Sequence, residues 1–347
     1  MACDVLFDVL TPKQALFFWA VGLELKSRGF ETSYVTRSYE QLDWIERDLG
    51  LEVLRAGRFG DESLEGKLLA STERQAQLIE IVREIRPKLT VSSGSIELCR
   101  VSYGLSMKHY LASDTPHSPV NRACVPLSDL VATPRFIPIR EWRRWATPST
   151  RFLRYRGLDP IAWMRRLNAH STSASHGRYV LVRLPERKAS YVSERGLDST
   201  SRIVKILSTR YDGDVLVVTR YRDDASMLAR DGGDRVKMLV EPTLLLPLIA
   251  NADAVFSGGG TTAQEAALLG VPAFSFYPGE LPAVHRFLLR RGFLRLIEAE
   301  ERSVIGALEL ARDASFRKSL EEKARRFRDG MEDPAVAVAV AITEGLR

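Results

Sequence analysis

The chain has 347 residues, of which 45% are hydrophobic. It is longer than the roughly 250 to 300 residues at which one hydrophobic core usually stops growing, so we expect two domains. Its net charge of +6 fits an anionic partner but does not identify one. The apolar runs are much shorter than the ~18 residues of a membrane-spanning helix, which excludes such a helix. Residues 1–7 read as a β-strand and not as a signal peptide, so we expect a cytoplasmic protein.

The three cysteines, Cys3, Cys99 and Cys124, lie far apart in the sequence. They have neither the close spacing of a zinc site nor the even number of a disulfide framework. We expect them to be buried thiols, and we predict no bound metal and no tightly bound cofactor.

The first part of the chain alternates short β-branched runs with longer amphipathic stretches. The predicted strands are 4–9, 32–36, 51–54, 89–93, 109–112 and 130–133, and the predicted helices are 12–28, 39–48, 64–86 and 97–105. Thr11 followed by Pro12 is typical of a helix start, and Gly29 of a helix end. This alternation predicts parallel strands joined by right-handed crossovers, and hence a doubly wound α/β sheet.

The pattern is interrupted between about residues 135 and 175, where Pro, Trp and Arg are frequent. Alternation then resumes, with predicted strands 179–184, 215–219, 236–239, 254–257, 273–276 and 293–297 and predicted helices 199–211, 224–229, 243–251, 262–269, 282–291, a long one through 328 and a last one over 334–347. We therefore predict an N-terminal Rossmann-like domain over residues 1–160, with a basic aromatic connector from about 135. A C-terminal Rossmann-like domain would cover residues 161–347, and its last helix is a candidate to pack back on the N-terminal domain.

A glycine-rich turn follows the predicted strand 254–257. Gly258, Gly259 and Gly260 lead there into a helix. Glycines permit close backbone approach, and the free N–H groups at a helix start suit a phosphate or a diphosphate. Taken alone, such a turn also occurs without any ligand, and Glu265, one helical turn further on, is equally compatible with a surface position.

The whole segment 254–272 resembles the donor-nucleotide motif of GT-B glycosyltransferases, particularly the peptidoglycan N-acetylglucosaminyltransferase type, and of the non-hydrolysing UDP-N-acetylglucosamine 2-epimerases. A larger part of the chain resembles an archaeal and bacterial family of uncharacterised proteins predicted to be glycosyltransferases. The segments that carry this second resemblance are 7–12 with Phe17 and Phe18, 93–101, 113–117 with Asn121 and Arg122, 258–272 and 277–284.

The resemblance implies a GT-B architecture, in which two Rossmann-like domains face each other across a cleft, the C-terminal one for the donor and the N-terminal one for the acceptor. The residues expected at the donor diphosphate are Gly258, Gly259, Gly260, Thr261 and Thr262. Glu265 would bind the ribose, and Leu239 and Val240 would place backbone groups beside the base. Pro278 and Gly279, in the turn after the following strand, would lie near the donor sugar.

Two arginines, Arg183 and Arg220, follow the first two strands of the C-terminal domain. The carboxyl ends of these strands are expected to border the same cleft, where a guanidinium can neutralise phosphate through charge-assisted hydrogen bonds. A solvated loop charge is the alternative for each of them.

Three N-terminal loops, 8–11, 94–97 and 114–117, also follow predicted strands. Inverting transfer needs a base for the acceptor proton, and the candidates are Asp8, Glu97, Asp114 and His117. We favour Asp114 and His117, because a carboxylate and an imidazole in one loop can act as a pair; capping of the next helix is the structural alternative. Gly94 and Ser95 are expected on the acceptor side. Relatives commonly carry a histidine in the loop after the first strand, whereas Pro12–Leu16 contains none.

Residues 135–166 carry many arginines and aromatic residues, against only Glu141 and Asp159 as acidic ones. This composition suits an anionic membrane surface, a lipid-phosphate acceptor or a nucleic-acid backbone. A connector whose tryptophans pack between domains explains it equally well. No nucleic-acid-binding motif accompanies the segment, which argues against nucleic acid. Peripheral contact with the inner membrane face through 135–166 is therefore kept as a hypothesis.

The favoured function is a metal-independent glycosyltransferase that moves a sugar from a nucleoside-diphosphate donor, UDP-linked or related, to an unknown acceptor. That acceptor would be a saccharide, a lipid-linked sugar or a small molecule. One alternative is a sugar-nucleotide epimerase of the UDP-N-acetylglucosamine 2-epimerase type, which needs acid and base groups around the sugar but no acceptor site. Another is a non-catalytic nucleotide-sugar-binding protein, which the missing histidine favours.

Overall fold

The computed structural model describes residues 3–38, 42, 44–58, 60, 63–167, 177–185, 195–219, 233–240, 243–277 and 279–347. The chain divides into two compact units. The first comprises residues 1–166 and 331–347, and the second comprises residues 167–330. The helix predicted over 224–229 lies outside the described residues.

The first unit is built on a seven-stranded parallel sheet with the order β3-β2-β1-β4-β5-β6-β7. Its strands are β1 Val5–Asp8, β2 Thr32–Ser38, β3 Val53–Arg58, β4 Leu89–Ser92, β5 Lys108–Ala112, β6 Leu130–Pro134 and β7 Arg151–Tyr155. The helices that follow these strands are α1 Pro12–Lys26, α2 Trp44–Leu49, α3 Leu64–Ile85, α4 Ile96–Gly104, α5 Asn121–Cys124, α6 Arg140–Arg143 and α7 Pro160–Met164.

The second unit is built on a six-stranded parallel sheet with the order β10-β9-β8-β11-β12-β13. Its strands are β8 Tyr179–Arg183, β9 Asp214–Val218, β10 Val236–Leu239, β11 Ala254–Ser257, β12 Ala273–Ser275 and β13 Arg295–Leu296. Its helices are α8 Arg195–Arg210, α9 Leu246–Ala250, α10 Gly260–Leu269, α11 Ala283–Arg290, α12 Glu301–Arg312 and α13 Ala314–Asp329, and the last helix of the chain, α14 Pro334–Leu346, belongs to the first unit.

Strand order reverses beside the first strand of each sheet, between β1 and β4 and between β8 and β11. Two doubly wound parallel sheets were predicted from the sequence, and this fold class is confirmed. In such sheets ligands bind outside the carboxyl ends of the strands, beside the reversal. The loops after β1, β4, β8 and β11 are therefore the positions where this fold favours a ligand site.

The start of α1 shows how local sequence positions one of these loops. Thr11 Oγ1 accepts a hydrogen bond from the N–H of Gln14 at 3.3 Å, so it caps the helix as its sequence predicts. Phe7 of β1 stacks on Phe18 of α1 and on Tyr34 of β2, with ring centroids 5.1 and 5.4 Å apart. This buried aromatic packing holds the beginning of α1 against the carboxyl end of β1.

Residues 135–166 are part of the first unit. The sequence predicted a connector without regular alternation there, and this prediction is wrong where α6, β7 and α7 lie. β7 is an edge strand paired with β6. Arg151 and Arg154 are exposed on this strand, and they mask the apolar alternation by which a strand is recognised.

The tryptophans of the same stretch mostly serve the core of the first unit. Trp142 and Trp163 are buried, and Trp142 Nε1 donates to Thr133 Oγ1 at 3.1 Å. Trp145 is half-buried, with the guanidinium groups of Arg122 and Arg144 over its ring. No helix in the described part of the chain is long and apolar enough to cross a bilayer.

The last helix, α14, packs against α1, α7 and β7. Asp333 caps its first turn through Ala335 N at 2.9 Å and pairs with Arg166 Nη1 at 2.9 Å. Lys108 Nζ donates to the carbonyl of Gly345 at 2.6 Å. These contacts attach the end of the chain to the first unit.

In the second unit, α8 and α12 cover one face of the sheet. Phe256 and Phe274 stack there at 5.1 Å in a buried cluster that includes Val304 of α12. The single long helix predicted through residue 328 is wrong, because Asp313 separates α12 from α13. Its carboxylate accepts the N–H groups of Ser315 and Phe316 at 2.8 and 3.0 Å, which is the geometry of a strong N-cap.

Candidate functional site

The glycine turn follows β11, beside the reversal of strand order in the second sheet. The N–H of Gly258 donates to the carbonyl of Arg183 at 2.9 Å and so continues the pairing of β11 with β8. A Cβ on Gly258 would lie 2.7 Å from Pro185 Cδ and 2.9 Å from Phe276 Cε2. Packing of the protein itself therefore requires a glycine at position 258.

The next two glycines have no such structural requirement. Neither has a positive φ, and Gly259 has extended backbone with φ −110° and ψ 158°. The nearest atom to a Cβ on Gly259 is Ser257 Oγ at 3.7 Å, and the nearest to a Cβ on Gly260 is His285 Cε1 at 3.6 Å. Both residues are half-buried. A methyl group at either position would make only ordinary van der Waals contacts, so the protein's own packing does not require glycine there. The absence of side chains instead permits close approach of a ligand to the main-chain N–H groups.

Helix α10 begins at these two glycines. Gly259 is its N-cap, and no side chain among the described residues caps it. Gly259 N is bonded to Ser257 Oγ at 3.0 Å, which leaves the first-turn N–H groups of Gly260, Thr261 and Thr262 as the donors that an α-helix cannot satisfy internally. Such donors, together with the positive end of the helix dipole, attract an anion. Thr261 is half-buried and Thr262 is buried.

Arg183 lies at the end of β8, next to the turn. Its Nη1 donates to the carbonyl oxygens of Val218 and Thr219 at 3.3 and 3.1 Å, and its Cγ is 3.8 Å from a Cβ position on Gly259. Its side chain is half-buried. The structure therefore brings this predicted phosphate ligand to the glycine turn, whereas Arg220 lies outside the described residues.

Two polar side chains of α10 are buried near its start. Glu265 and Gln264 are each 4% exposed. Within the described residues, Gln264 Oε1 accepts no hydrogen bond. Glu265 lies on the helix that begins at the glycine turn. A contact between its carboxylate and a ribose stays a prediction.

The segments expected beside the base and the sugar lie at the same edge of the second sheet. Leu239 and Val240, at the end of β10, are half-buried, and Leu239 O accepts the N–H of Thr219 at 3.1 Å. Tyr277 and Gly279, after β12, border a groove of about 820 Å³. Pro278 lies outside the described residues.

One neighbour of the turn was missed by sequence reasoning. His285 of α11 is fully buried, and its ring lies 5.4 Å from that of Tyr277. Its Cε1 is also the nearest atom to the Cβ position of Gly260, at 3.6 Å. A single histidine within the apolar face of a short helix gives no functional signal in the sequence, because packing alone explains it.

In the first unit, Asp8 at the end of β1 is wholly buried against Arg74 of α3. The guanidinium donates to both carboxylate oxygens, from Nη1 at 2.9 Å and from Nη2 at 2.7 Å. Burial lowers the pKa of Arg74, but the charge of Asp8 outweighs this effect and the pKa is raised. Glu97 accepts from Ser71 Oγ at 2.8 Å and lies 3.6 Å from Arg74 Nη1. Asp8 and Glu97, two of the predicted bases, thus share one arginine.

The loop after β4 is shaped by Gly94 and Ser95. Gly94 has φ +94°, and a Cβ there would lie 3.1 Å from Asn121 Oδ1, so both conformation and space favour glycine. Ser95 Oγ accepts from Leu98 N at 3.1 Å and caps α4. No group of three or more His, Cys, Asp or Glu side chains gathers as a metal site within the described residues.

Asp114, after β5, belongs to a second buried cluster. Lys13 Nζ lies 2.5 Å from Asp114 Oδ1 and 2.9 Å from Asp159 Oδ2. Tyr155 Oη donates to Asp159 Oδ1 at 2.7 Å. His117, the other favoured base, lies further along the same loop on the exposed surface.

Lys13, Tyr155 and Asp159 were not predicted as site residues. Lys13 lies on α1, whereas Tyr155 ends β7 and Asp159 directly precedes α7, more than 100 residues further along the chain. Lys13 lies in the segment where relatives were expected to carry a histidine. The absence of that histidine was the only feature of the sequence that pointed to an unusual group at this position.

The comparisons with known proteins agree with this architecture. A family model described as "Protein of unknown function (DUF354)" matches residues 3–329. The uncharacterised protein MJ0665 of Methanocaldococcus jannaschii is 24% identical over 299 residues, which cover 83% of this chain and 86% of that protein.

Solved structures show the same fold. The UDP-GlcNAc 2-epimerase from Neisseria meningitidis, solved bound to UDP-GlcNAc, superposes with a TM-score of 0.68 at 14% identity and with 99% of each chain covered. The spinosyn rhamnosyltransferase SpnG superposes with a TM-score of 0.65 at 14% identity, again with 99% of each chain covered. These superpositions confirm the fold that the resemblance implies, two parallel-sheet α/β domains with GT-B proteins as structural neighbours.

Proposed function

The chain belongs to the family described as a protein of unknown function, DUF354, and from this premise we propose that it is a glycosyltransferase that uses a nucleoside-diphosphate sugar, UDP-linked, and an acceptor hydroxyl. The observation that carries the proposal is the start of α10 at Gly259 and Gly260, which no side chain of the described residues caps. Because neither glycine carries a side chain, a ligand can approach the first-turn N–H donors closely. A diphosphate is the anion that this arrangement suits, because it presents several oxygens to adjacent main-chain donors.

Charge at the turn supports the same ligand. The side chain of Arg183 passes Gly259, with its Cγ 3.8 Å from the Cβ position of that glycine. A charge-assisted hydrogen bond from its guanidinium to phosphate would be stronger than a neutral one. Helix N–H groups and arginine can together balance a diphosphate without a metal ion. We assign Gly259–Thr262 and Arg183 to the diphosphate, Glu265 to the ribose, Leu239 and Val240 to the base, and the turn at Gly279 to the sugar.

An epimerase is the second candidate. The superposition on an epimerase solved with UDP-GlcNAc favours it, since that enzyme shares the whole fold. The same glycine turn would bind the same diphosphate in both cases. The two activities differ in whether a second substrate is needed.

Binding of UDP is the first test of the proposed diphosphate site. We expect UDP to bind the full chain, as measured by calorimetry, and Gly259→Ala to weaken it about tenfold, since a methyl group then occupies the approach to the helix start. Gly306→Ala, at an exposed glycine of α12 with no atom near its Cβ position, is the matched control and should leave binding unchanged. Equal affinities of wild type and Gly259→Ala would remove the diphosphate from this turn.

Turnover then separates the candidates. Release of UDP from UDP-GlcNAc that depends on an added acceptor indicates transfer. Formation of a sugar isomer without any acceptor indicates epimerisation. Binding without either product indicates a non-catalytic nucleotide-sugar-binding protein and contradicts the proposed transferase.

A further inference from the structure

One surface of the second unit carries a larger net positive charge than the whole protein. It is formed by residues 286–296, which include the end of α11, and by helix α13, and we call it the basic face. These two segments contain ten Arg and Lys side chains against three acidic ones. Their net charge of +7 exceeds the +6 of the entire chain. The positive charge of the protein is therefore concentrated here.

Aromatic contacts join the two segments of the basic face. The ring of Phe327, on α13, lies 6.0 Å from that of Phe287 on α11 and 4.7 Å from that of Phe293. Lys323 of α13 also donates a hydrogen bond to the carbonyl of Arg291. The charges of both segments therefore belong to one continuous surface of the second unit.

The rings of this surface hold cations above them. The guanidinium of Arg291 lies 4.9 Å from the ring centroid of Phe287 and 5.3 Å from that of Phe327. Lys323 Nζ lies 4.8 Å from the ring centroid of Phe293. Cation–π attraction keeps these two charged groups in place at the surface, and the groups in turn cover the ring faces.

Most of the cations have no acidic partner. On the basic face Glu322 lies 3.5 Å from Arg326 and balances that charge. Six other side chains are exposed and form no ion pair within the described residues: Arg290, Arg291, Arg295, Lys318, Lys323 and Arg325. Like charges that gather on one surface repel one another, and an anionic partner relieves this repulsion when it binds.

We propose that the basic face docks on the surface of an anionic phospholipid bilayer. Clusters of several Lys and Arg side chains on an amphipathic helix bind acidic lipid headgroups. Helix α13 has this character, because Leu320 and Ala324 are buried on one side while Lys318 and Arg325 are exposed on the other. Docking of this kind is independent of the proposed transferase activity.

Nucleic acid is the other phosphate-rich partner, and the aromatic residues argue against it. Proteins that bind single strands stack bases on accessible aromatic rings. Here Arg291 and Lys323 already lie over the rings of Phe287 and Phe293, and Phe293 is also buried. The basic face therefore offers charge without a free ring for a base, which suits a layer of lipid headgroups.

The segment 135–166, for which the sequence raised membrane contact, is a weaker site for an anionic surface. Arg140 Nε and Arg144 Nη2 lie 3.7 and 3.5 Å from the carboxylate of Glu141. Part of the positive charge of this segment is thus already balanced. The segment provides the control for the experiment, because it carries exposed arginines on the other unit.

The test measures the partition of the full chain onto sucrose-loaded vesicles by co-sedimentation. Vesicles of equal parts phosphatidylglycerol and phosphatidylcholine should bind the chain, and vesicles of phosphatidylcholine alone should not. Added salt should weaken the binding, because it screens interactions between exposed charges. A chain that binds neither kind of vesicle, or both kinds equally, would overturn the inference.

A triple variant locates the contact on the basic face. Arg290→Gln, Lys318→Gln and Arg325→Gln together remove three exposed cations that make no side-chain hydrogen bond or ion pair in the described part of the chain, so the fold should persist. Partition onto the anionic vesicles should fall about 100-fold, since each Lys or Arg near such a surface contributes about fivefold. Lys318→Gln alone should lower it about fivefold and gives an independent measurement.

The matched control removes the same charge from the first unit. Arg140→Gln, Arg143→Gln and Arg144→Gln together should leave the partition close to the wild-type value. An equal loss in both triple variants would mean that net charge alone governs binding, and a larger loss in the control would place the contact at 135–166. Either result contradicts docking through the basic face.

A last measurement separates lipid from nucleic acid. A DNA duplex and a single-stranded RNA of mixed sequence are titrated at the same salt concentration by fluorescence anisotropy. Weaker binding per phosphate than that of the anionic vesicles supports the lipid surface. Tighter binding of either nucleic acid, lost in the variant of Arg290, Lys318 and Arg325, would assign the basic face to nucleic acid and overturn the inference.

Discussion

The main-chain N–H of Gly258 donates to the carbonyl of Arg183 at 2.9 Å, and this bond joins the ends of β8 and β11 where strand order reverses. The close approach places Gly258 against Pro185, the second residue after β8. Arg183 thereby lies beside the glycine turn through its backbone as well as its side chain. One hydrogen bond thus sets both the path of the turn and the position of its cationic neighbour.

Gly258 and Gly259 should respond differently to the same substitution. Gly258→Ala places a methyl group 2.7 Å from Pro185 Cδ, and overpacking of this kind should lower the free energy of unfolding by about 1 to 3 kcal/mol. Gly259→Ala meets only ordinary contacts and should change it by less than about 0.5 kcal/mol. Urea denaturation of both variants checks this. Equal losses of stability would show that a methyl group does not fit at Gly259.

Removal of the Arg183 guanidinium should weaken diphosphate binding specifically. Arg183→Met should reduce affinity for UDP by about 10- to 100-fold, because a hydrogen bond to a charged group contributes about 1.5 to 3 kcal/mol. Affinity for uridine, which has no phosphate, should not change. Glu265→Gln is the matched contrast, since loss of a ribose contact should weaken both ligands alike. Calorimetry with the two ligands would contradict the assignment if Arg183→Met weakened uridine binding as much as UDP binding.

The buried pair of Asp8 and Arg74 should be important for stability. Arg74→Ala leaves an uncompensated carboxylate with no exposed surface, and breaking such a pair costs about 3 to 5 kcal/mol. Arg83→Ala on the same helix removes an exposed partner of Glu80 and should cost no more than about 1 kcal/mol. Thermal and urea unfolding measure both. A small loss in Arg74→Ala would mean that water reaches Asp8 in the folded chain.

Asp159 should make the stability of the first unit depend on pH. Burial raises the pKa of its carboxyl in the folded chain, so between its ordinary pKa of about 3.9 and the raised value the folded chain holds a proton that the unfolded chain releases. The free energy of unfolding should therefore fall as pH rises through this window, by at most about 1.4 kcal/mol per pH unit. The contribution is fully lost above the raised pKa.

Asp159→Asn should remove this dependence, as urea denaturation at a series of pH values would show. The raised pKa of Lys13 does not interfere, since that contribution is lost only at alkaline pH, as pH rises through the folded value. Parallel stability curves for wild type and Asp159→Asn would contradict the prediction.

Local sequence was sufficient to predict structure where the conformation of a segment depends on its own residues. The Thr11–Pro12 helix start and the glycine turn at 258–260 were both predicted, because capping and backbone freedom depend on adjacent residues. The strand that begins at Arg151 was missed, since its exposed arginines hide the alternation of an edge strand. The helix break at Asp313 was missed as well, because one capping residue inside a polar helical pattern is a weak signal.

By itself, the sequence determined the alternation of strands and helices, the fold class and the position of the glycine turn, because these follow from hydrophobic period and turn chemistry along a continuous stretch of chain. Only the tertiary structure decided which charges meet. Arg74 pairs with Asp8, although it lies on a helix far along the chain. Lys13 contacts both Asp114 and Asp159, and these three residues come from separate segments. The sequence shows only that these groups are ionisable. Their pKa values depend on burial next to one another, and that burial arises only when the folded sheet brings distant segments together.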